Sequence, residues 1–142
     1  MRFLLVLTTL CLAVGCGGGG HQIKLYPVKG KVTLDGKPLS KCFISLATEN
    51  PVKGGEGQFA SKLSDTGEFT ITTEKGASGA PAGKYKVVFY LPPEEAMKAM
   101  SAGPGAYAAT PFPNEYSNVK TSPKEVEVTT GPNNLVIEIQ SK

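Results

Sequence analysis

The sequence has few of the residues on which catalytic and nucleic-acid sites most often depend. Its 142 residues include one histidine, three cysteines and no tryptophan. The only arginine is Arg2, and the charges behind the formal net value of +3 are spread along the chain. Without further arginines the chain has no means of holding phosphate in a bidentate fashion, and the even spread of charge argues against a nucleic-acid partner.

The same scarcity limits catalysis and metal binding. His21 and Cys42 cannot supply the three or four nitrogen and sulfur ligands of a zinc site. No histidine follows residue 26, so none could activate a serine or Cys42 as a nucleophile. Cys42 shares the parity of Ile44 and Leu46, which predicts a small buried apolar residue. We therefore expect a protein that is not an enzyme and that needs no metal or other cofactor.

The chain does have a short apolar segment at its start. Arg2 precedes an apolar stretch of about ten residues that closes on small residues, as in secretory signal peptides. Such a stretch is too short to span a bilayer. The next feature is Cys16, since residues 13–16, Ala-Val-Gly-Cys, resemble the lipobox of bacterial lipoproteins. Gly15 and Cys16 match the two strictest positions of that motif.

The lipobox resemblance implies that residues 1–15 are removed and that Cys16 becomes the lipid-bearing first residue. A diacylglyceryl group would attach through a thioether, and acylation of the new amino terminus, for example by palmitate, would give anchoring that is stable. Gly17–Gly20 make residues 16–26 a flexible tether. By resemblance to the sorting rules of Gram-negative lipoproteins, in which aspartate at this position favours retention in the inner membrane, Gly17 implies the outer membrane. The alternative is an ordinary signal peptide with an incidental cysteine.

Beyond the tether, the chain alternates apolar and polar residues in short segments separated by glycine, proline and aspartate. This spacing predicts one all-β domain over residues 27–142, a sandwich without a helix of ordinary length. Asp35-Gly36 predicts a tight hairpin turn. The seven predicted strands cover residues 28–34, 42–47, 59–63, 69–73, 85–91, 125–128 and 135–139.

One insertion, at about residues 92–118, interrupts the strand pattern. Its first ten residues open with proline and two glutamates, which predicts two or three turns of helix. Its aromatic residues, Tyr107, Phe112 and Tyr116, together with Tyr90 on the preceding strand, form a candidate partner surface. The alternative is that these rings cap the sandwich and cover an open edge.

Three segments resemble the carboxypeptidase regulatory-like domain in their order and spacing. They are residues 30–39, Gly-Lys-Val-Thr-Leu-Asp-Gly-Lys-Pro-Leu; residues 65–71, Asp-Thr-Gly-Glu-Phe-Thr-Ile; and residues 83–88, Gly-Lys-Tyr-Lys-Val-Val. The resemblance implies a seven-stranded transthyretin-like, or prealbumin-like, Greek-key β-sandwich. A catalytic relative of that fold hydrolyses hydroxyisourate with several histidines, an arginine and a Tyr-Arg-Gly-Ser tail, none of which this domain has.

Together these features predict a lipid-anchored envelope protein that contacts the membrane through its lipid. Its sandwich would be a non-catalytic binding or accessory module for envelope proteins or glycans. The alternative function is that of an abundant structural coat or spacer. A weaker third idea, help in the folding or export of a neighbouring envelope enzyme, follows only from the position of such domains beside carboxypeptidase catalytic domains.

Overall fold

The computed structural model describes residues 23–49, 59–103 and 110–141. Within these ranges it has eight β-strands, one α-helix and a 3-10 helix at Asn114–Ser117. The strands are β1 (Val28–Leu34), β2 (Lys37–Pro38), β3 (Phe43–Ala47), β4 (Phe59–Lys62), β5 (Glu68–Thr70), β6 (Gly83–Tyr90), β7 (Glu125–Val128) and β8 (Asn133–Ile139). The α-helix, α1, covers Pro93–Ser101 between β6 and β7.

The described strands form two four-stranded sheets. In the first sheet β1 pairs antiparallel with β2 and β5, and parallel with β8. The second sheet has the order β4-β3-β6-β7, with every pair antiparallel. Side chains from both sheets pack into one hydrophobic core. The predicted all-β architecture is therefore confirmed at the level of two sheets and one short helix.

The strands differ most from the prediction in two places, while the other boundaries are unchanged or move by one or two residues. Asp35 and Gly36, with φ values of 50° and 80°, form the predicted turn, after which two residues pair back onto β1 as the additional strand β2. The strand predicted over residues 69–73 is shorter, because β5 covers only Glu68–Thr70. Both differences depend on how many residues next to a turn continue the backbone hydrogen bonds between strands. The alternation of apolar residues does not determine that number.

The core follows from the period of two along each strand. On β6 the side chains of Tyr85, Val87 and Phe89 are buried, while those between them are half-buried on the outer face. Cys42 is fully buried, as its parity predicts, and burial raises the pKa of its thiol to about 12. The other core side chains that lie on strands are Val28, Val32, Ile44, Leu46, Phe69, Val128, Ile137 and Ile139.

Gly30 is required where β1 and β8 approach each other. A Cβ atom at this position would overlap the carbonyl oxygen of Leu135 and would lie 2.9 Å from Cζ of Phe69. Since the obstacle includes backbone, no rotamer change could relieve it. The glycine allows β1 and β8 to pair without a break, from Val28 opposite Asn133 to Leu34 opposite Ile139.

Side-chain hydrogen bonds hold the chain at both ends of β8. The buried amide of Asn133 accepts a hydrogen bond from Thr129 N at 2.8 Å and donates to Gly131 O at 2.8 Å, which fixes the turn before the strand. After the strand, the carboxylate of Asp35 accepts hydrogen bonds from the backbone N–H and the hydroxyl of Ser141. These bonds hold the pKa of Asp35 below its usual value.

The chain enters the sandwich at the end opposite to α1. Tyr26, just before β1, bridges to Ala80, which lies three residues before β6 begins. Helix α1 starts three residues after β6 ends at Tyr90. An eight-residue strand is about 25 Å long, so this distance separates the two ends. We call them the tether end, which carries Tyr26, and the distal end, which carries α1.

Candidate functional site

A groove of about 730 Å³ lies beside α1 at the distal end. Its described lining includes three lysines and three acidic residues, so its formal charges balance. A groove of this kind suits a partner that carries both signs of charge rather than a simple anion or cation. The lining residues are Lys41, Lys62, Asp65, Leu91, Pro92, Glu94, Glu95, Lys98, Ala99, Ala102 and Pro111.

Helix α1 forms where the sequence predicts it, and for the predicted reasons. Pro93 occupies the first helical position, where its fixed φ favours a helix and its missing N–H costs nothing. Glu94 and Glu95 follow in the first turn, where negative charge is favourable. Nζ of Lys98 lies 3.0 Å from Oε1 of Glu95, and this bond, together with the adjacent charge, raises the pKa of Lys98.

The outer face of α1 exposes two apolar side chains. All nine residues of the helix are described, and none of them is buried. Met97 and Met100 are each 68% exposed, and their spacing of three puts them on one face of the helix. Methionine is flexible and polarisable, and it packs readily on irregular apolar surfaces.

An aromatic pair lies next to the groove. The rings of Phe43 and Tyr90 stack at a centroid distance of 5.2 Å with an interplanar angle of 10°. The two residues are directly opposite each other on β3 and β6, and Lys62, which lines the groove, is opposite Phe43 on β4. Partial burial raises the pKa of Tyr90. We call Phe43, Tyr90, Met97 and Met100, with the groove, the distal surface.

The other aromatic residues of the predicted partner surface lie elsewhere. Phe112 and Tyr116 are buried, and their rings lie 5.7 and 6.0 Å from that of Phe89. The 3-10 helix holds Tyr116 in this position, so both rings close the distal end of the core. Their placement corresponds to the capping alternative. Tyr107 and the predicted lipid-attachment residue Cys16 lie outside the described residues.

Phe43 was missing from the predicted surface, although the sequence contained a signal for it. Because Ile44 and Leu46 of β3 are buried, the alternation of the strand must direct the side chain of Phe43 to the opposite face. An aromatic residue out of phase with its own strand is the same signal that identified Tyr90. The pairing of the two required the register of β3 with β6, which a single sequence does not provide.

The described residues contain no group of three or more histidine, cysteine, aspartate and glutamate side chains that could hold a metal ion. Cys42 is inaccessible, and its raised pKa keeps the thiol protonated at neutral pH. It therefore lacks the properties of a nucleophile or metal ligand. The distal surface has the features of a binding site instead: a groove, a stacked aromatic pair and an exposed apolar pair.

Comparisons of the chain with protein-family models, with curated proteins and with solved structures found no match. In the part of the chain that the structure describes, no helix is both long enough and apolar enough to cross a membrane. The residues of this chain are therefore the basis on which a function can be proposed.

Proposed function

We propose that this chain is a lipid-anchored protein of the bacterial cell envelope, held in the outer membrane, whose β-sandwich is a non-catalytic binding module. Its ligand is another envelope protein or a glycan. The observation that carries the proposal is the placement of the tether end and the distal surface at opposite ends of the sandwich. A lipid attached at the tether end would leave the groove and the exposed Met97 and Met100 at the end of the sandwich that lies farther from the attachment point.

The anchor follows from the lipobox-like residues 13–16, with Cys16 as the lipid-bearing residue. From Cys16 to Tyr26 the chain can extend by at most about 35 Å. The sandwich adds about 25 Å, so the distal surface reaches partners as far as about 60 Å from the lipid surface.

The chemistry of the distal surface favours a protein partner over a glycan. Sugars stack on exposed ring faces, and Tyr90 with Phe43 could serve either kind of ligand. The pair Met97 and Met100 offers apolar area without a flat face, as protein interfaces do, where methionine and aromatic residues are enriched. The balanced charges of the groove suit a polypeptide carrying both signs.

The finer assignment of the fold is a carboxypeptidase regulatory-like domain with transthyretin-like Greek-key topology. It is supported by the repeated crossing of the chain between sheets: from β2 to β3, from β4 to β5, from β5 to β6 and from β7 to β8. Such crossings are typical of Greek-key sandwiches. The motif segments also fall on matching elements, with residues 30–39 on β1 and β2 and residues 83–88 on β6.

A second candidate function, an abundant coat or spacer of the envelope, is favoured by the open outer edge of β8. Within the described residues β8 pairs only with β1, and a free edge of seven residues could join copies of the protein. Copy number separates the two functions, because a coat is abundant whereas an accessory protein is stoichiometric with its partner.

The test is crosslinking in cells of the tagged full chain, with mass spectrometry to identify what is captured. We expect one stoichiometric partner, whose capture is lost in the Met97→Gln, Met100→Gln double variant. The matched control is Lys75→Ser, an exposed change in the turn before Ala80 at the tether end, which should retain the partner. Capture of only self-contacts or bulk envelope material would contradict the binding function and support the coat.

The anchor has a separate test, so that its failure can be distinguished from that of the binding site. In Cys16→Ser the chain should accumulate as unlipidated precursor or as soluble protein, because serine cannot form the thioether. Fractionation of cells should then show loss of the mature protein from the membrane. Membrane association equal to that of the wild type would contradict the anchor.

A further inference from the structure

The outer edge of β8 is a long strand edge with little protection. Within the described residues β8 pairs along its whole length with β1 on one side and with no strand on the other. Val136, at its centre, is 72% exposed. Edge strands are usually protected by charged side chains, proline, bulges or short length, and the seven residues of β8 carry a single charge, that of Glu138, and no proline.

The hydrogen-bonding parity of β8 shows which residues face the open edge. Asn133 N donates to Pro27 O at 2.8 Å, and Ile139 O accepts from Asp35 N at 3.0 Å. Backbone groups of a strand alternate in direction, so the odd-numbered residues of β8 bond toward β1. The N–H and C=O groups of Asn134, Val136 and Glu138 therefore point away from the sheet.

We infer that two copies of this chain associate through β8, antiparallel and about a two-fold axis at Val136, so that their first sheets become one. This register makes Val136 a hydrogen-bonded pair with its own copy and makes Asn134 a hydrogen-bonded pair with Glu138 of the other. All three residues of each strand whose backbone N–H and C=O groups point to the open edge are then hydrogen-bonded to the other copy. Because the axis relates identical strands, the interface is closed and self-complementary.

The side chains on the outer face fit this register. The two Val136 side chains cover each other, while each Asn134 amide faces a Glu138 carboxylate to which it can donate. The only ionisable residue of β8 is Glu138, which forms no ion pair with the described residues, and the register keeps it away from its own copy. Lys29, opposite Asn134 on β1, adds a positive charge on the same face, two strands away from Glu138 of the other copy.

A second copy suits this edge better than a segment of unrelated sequence. The hydrogen bonds of Asn133 and Asp35 hold both ends of β8, so its edge is ordered before association. Pairing of two such edges orders no new chain, whereas an extended peptide would lose conformational entropy on adding as a strand. On the inner face the same register brings half-buried Leu135 opposite Ile137 of the other copy and extends the core.

The register can be tested by single cysteines in the full chain, extracted in detergent and treated with a mild oxidant. Val136→Cys should form a disulfide-linked dimer, because a hydrogen-bonded antiparallel pair has Cα atoms about 5.5 Å apart, within disulfide range. Asn134→Cys and Glu138→Cys are the matched controls. Each lies about 14 Å from its own copy, so neither should form a dimer alone. A mixture of these two variants should form the mixed dimer.

The wild-type chain, with Cys16 and Cys42, gives the background for this experiment. No excess dimer from Val136→Cys, or equal dimer from all three single variants, would overturn the inference. So would a disulfide adduct of Val136→Cys with a different protein accompanied by a monomeric wild-type chain.

A measurement without cysteines gives an independent check. Sedimentation of the full chain in detergent should show a concentration-dependent dimer. In Val136→Lys two like charges face each other across the axis, and the dissociation constant should rise by about tenfold or more. Thr130→Lys, an exposed change outside β8, should leave the dissociation constant unchanged. A sedimenting monomer for the wild type at all concentrations would overturn the inference.

Discussion

The β-sandwich and helix α1 differ in how far their side chains are buried. In the sandwich, side chains such as Ile44, Val87 and Phe89 are fully buried, and apolar burial stabilises a structure by about 25 cal/mol per Å². In α1 no side chain is buried, and its one internal ion pair is exposed to solvent and adds little stability. The residues of α1 are thus largely free of the packing constraints that decide residue choice in the core.

This difference raises the question of what holds α1 in place and whether Met97 and Met100 contribute to it. A nine-residue helix is shorter than the roughly 12–15 residues at which isolated helices become even marginal. What holds α1 in place is its junction with the sandwich at buried Pro92 and its half-buried Ala96 and Ala99. Met97 and Met100 are each 68% exposed, so their side chains are accessible to the partner proposed above.

The largest effect should come from the tightest point of the sandwich. In Gly30→Ala the new Cβ would overlap backbone of β8, so the pairing of β1 and β8 must open. We expect the free energy of unfolding to fall by about 3 kcal/mol or more, measured by chemical denaturation. A loss of this size would show that the close pairing of β1 with β8 contributes strongly to the free energy of unfolding.

Gly76→Ala is the control for this substitution. Gly76 has a φ of 79°, but nothing lies within 4 Å of a Cβ built there. Its replacement should cost only the left-handed backbone penalty, about 1–2 kcal/mol. Equal losses for the two variants would contradict the steric explanation for Gly30.

A smaller effect should appear at alkaline pH and should come from Cys42 in the core. Burial raises the pKa of its thiol from 9.0 to about 12, so between these values the folded chain keeps a proton that the unfolded chain releases. The free energy of unfolding is therefore unaffected by this group below pH 9 and falls as the pH rises from 9 towards 12. Denaturation curves recorded at a series of pH values would measure the slope.

Cys42→Ala should remove part of this pH dependence while lowering stability at neutral pH through the lost volume. Burial also raises the pKa values of Tyr85 and Tyr90 above 10.0, so a decline should persist at still higher pH. An unchanged slope between pH 9 and 10 in this variant would contradict the assignment to Cys42.

Much of the sandwich could be predicted because single-strand signals are local. The alternation in β6 placed Tyr85, Val87 and Phe89 inside without knowledge of their neighbours. The Asp35-Gly36 turn follows from the positive φ that such residues tolerate. The start of α1 follows from its proline and glutamates.

What could not be predicted depends on contacts between distant segments. The stack of Phe43 on Tyr90 exists only because β3 and β6 pair in one register. The burial of Tyr116 depends on the 3-10 helix lying against β6, whereas the sequence shows only an aromatic residue in a loop. The need for glycine at position 30 arises from Leu135, more than a hundred residues later in the chain.

The smallest effect on stability should come from substitutions of the exposed methionines of α1. A small effect would show that these side chains do not help to hold the fold. In the Met97→Gln, Met100→Gln double variant the free energy of unfolding should stay within about 0.5 kcal/mol of the wild type, because both side chains are exposed and glutamine is a comparable helix former. Denaturation should therefore show an unchanged free energy of unfolding, while crosslinking in cells should show that the partner is no longer captured. A loss of stability above about 1 kcal/mol would mean that these methionines pack within the chain, and the contrast between α1 and the sandwich would no longer identify a binding surface.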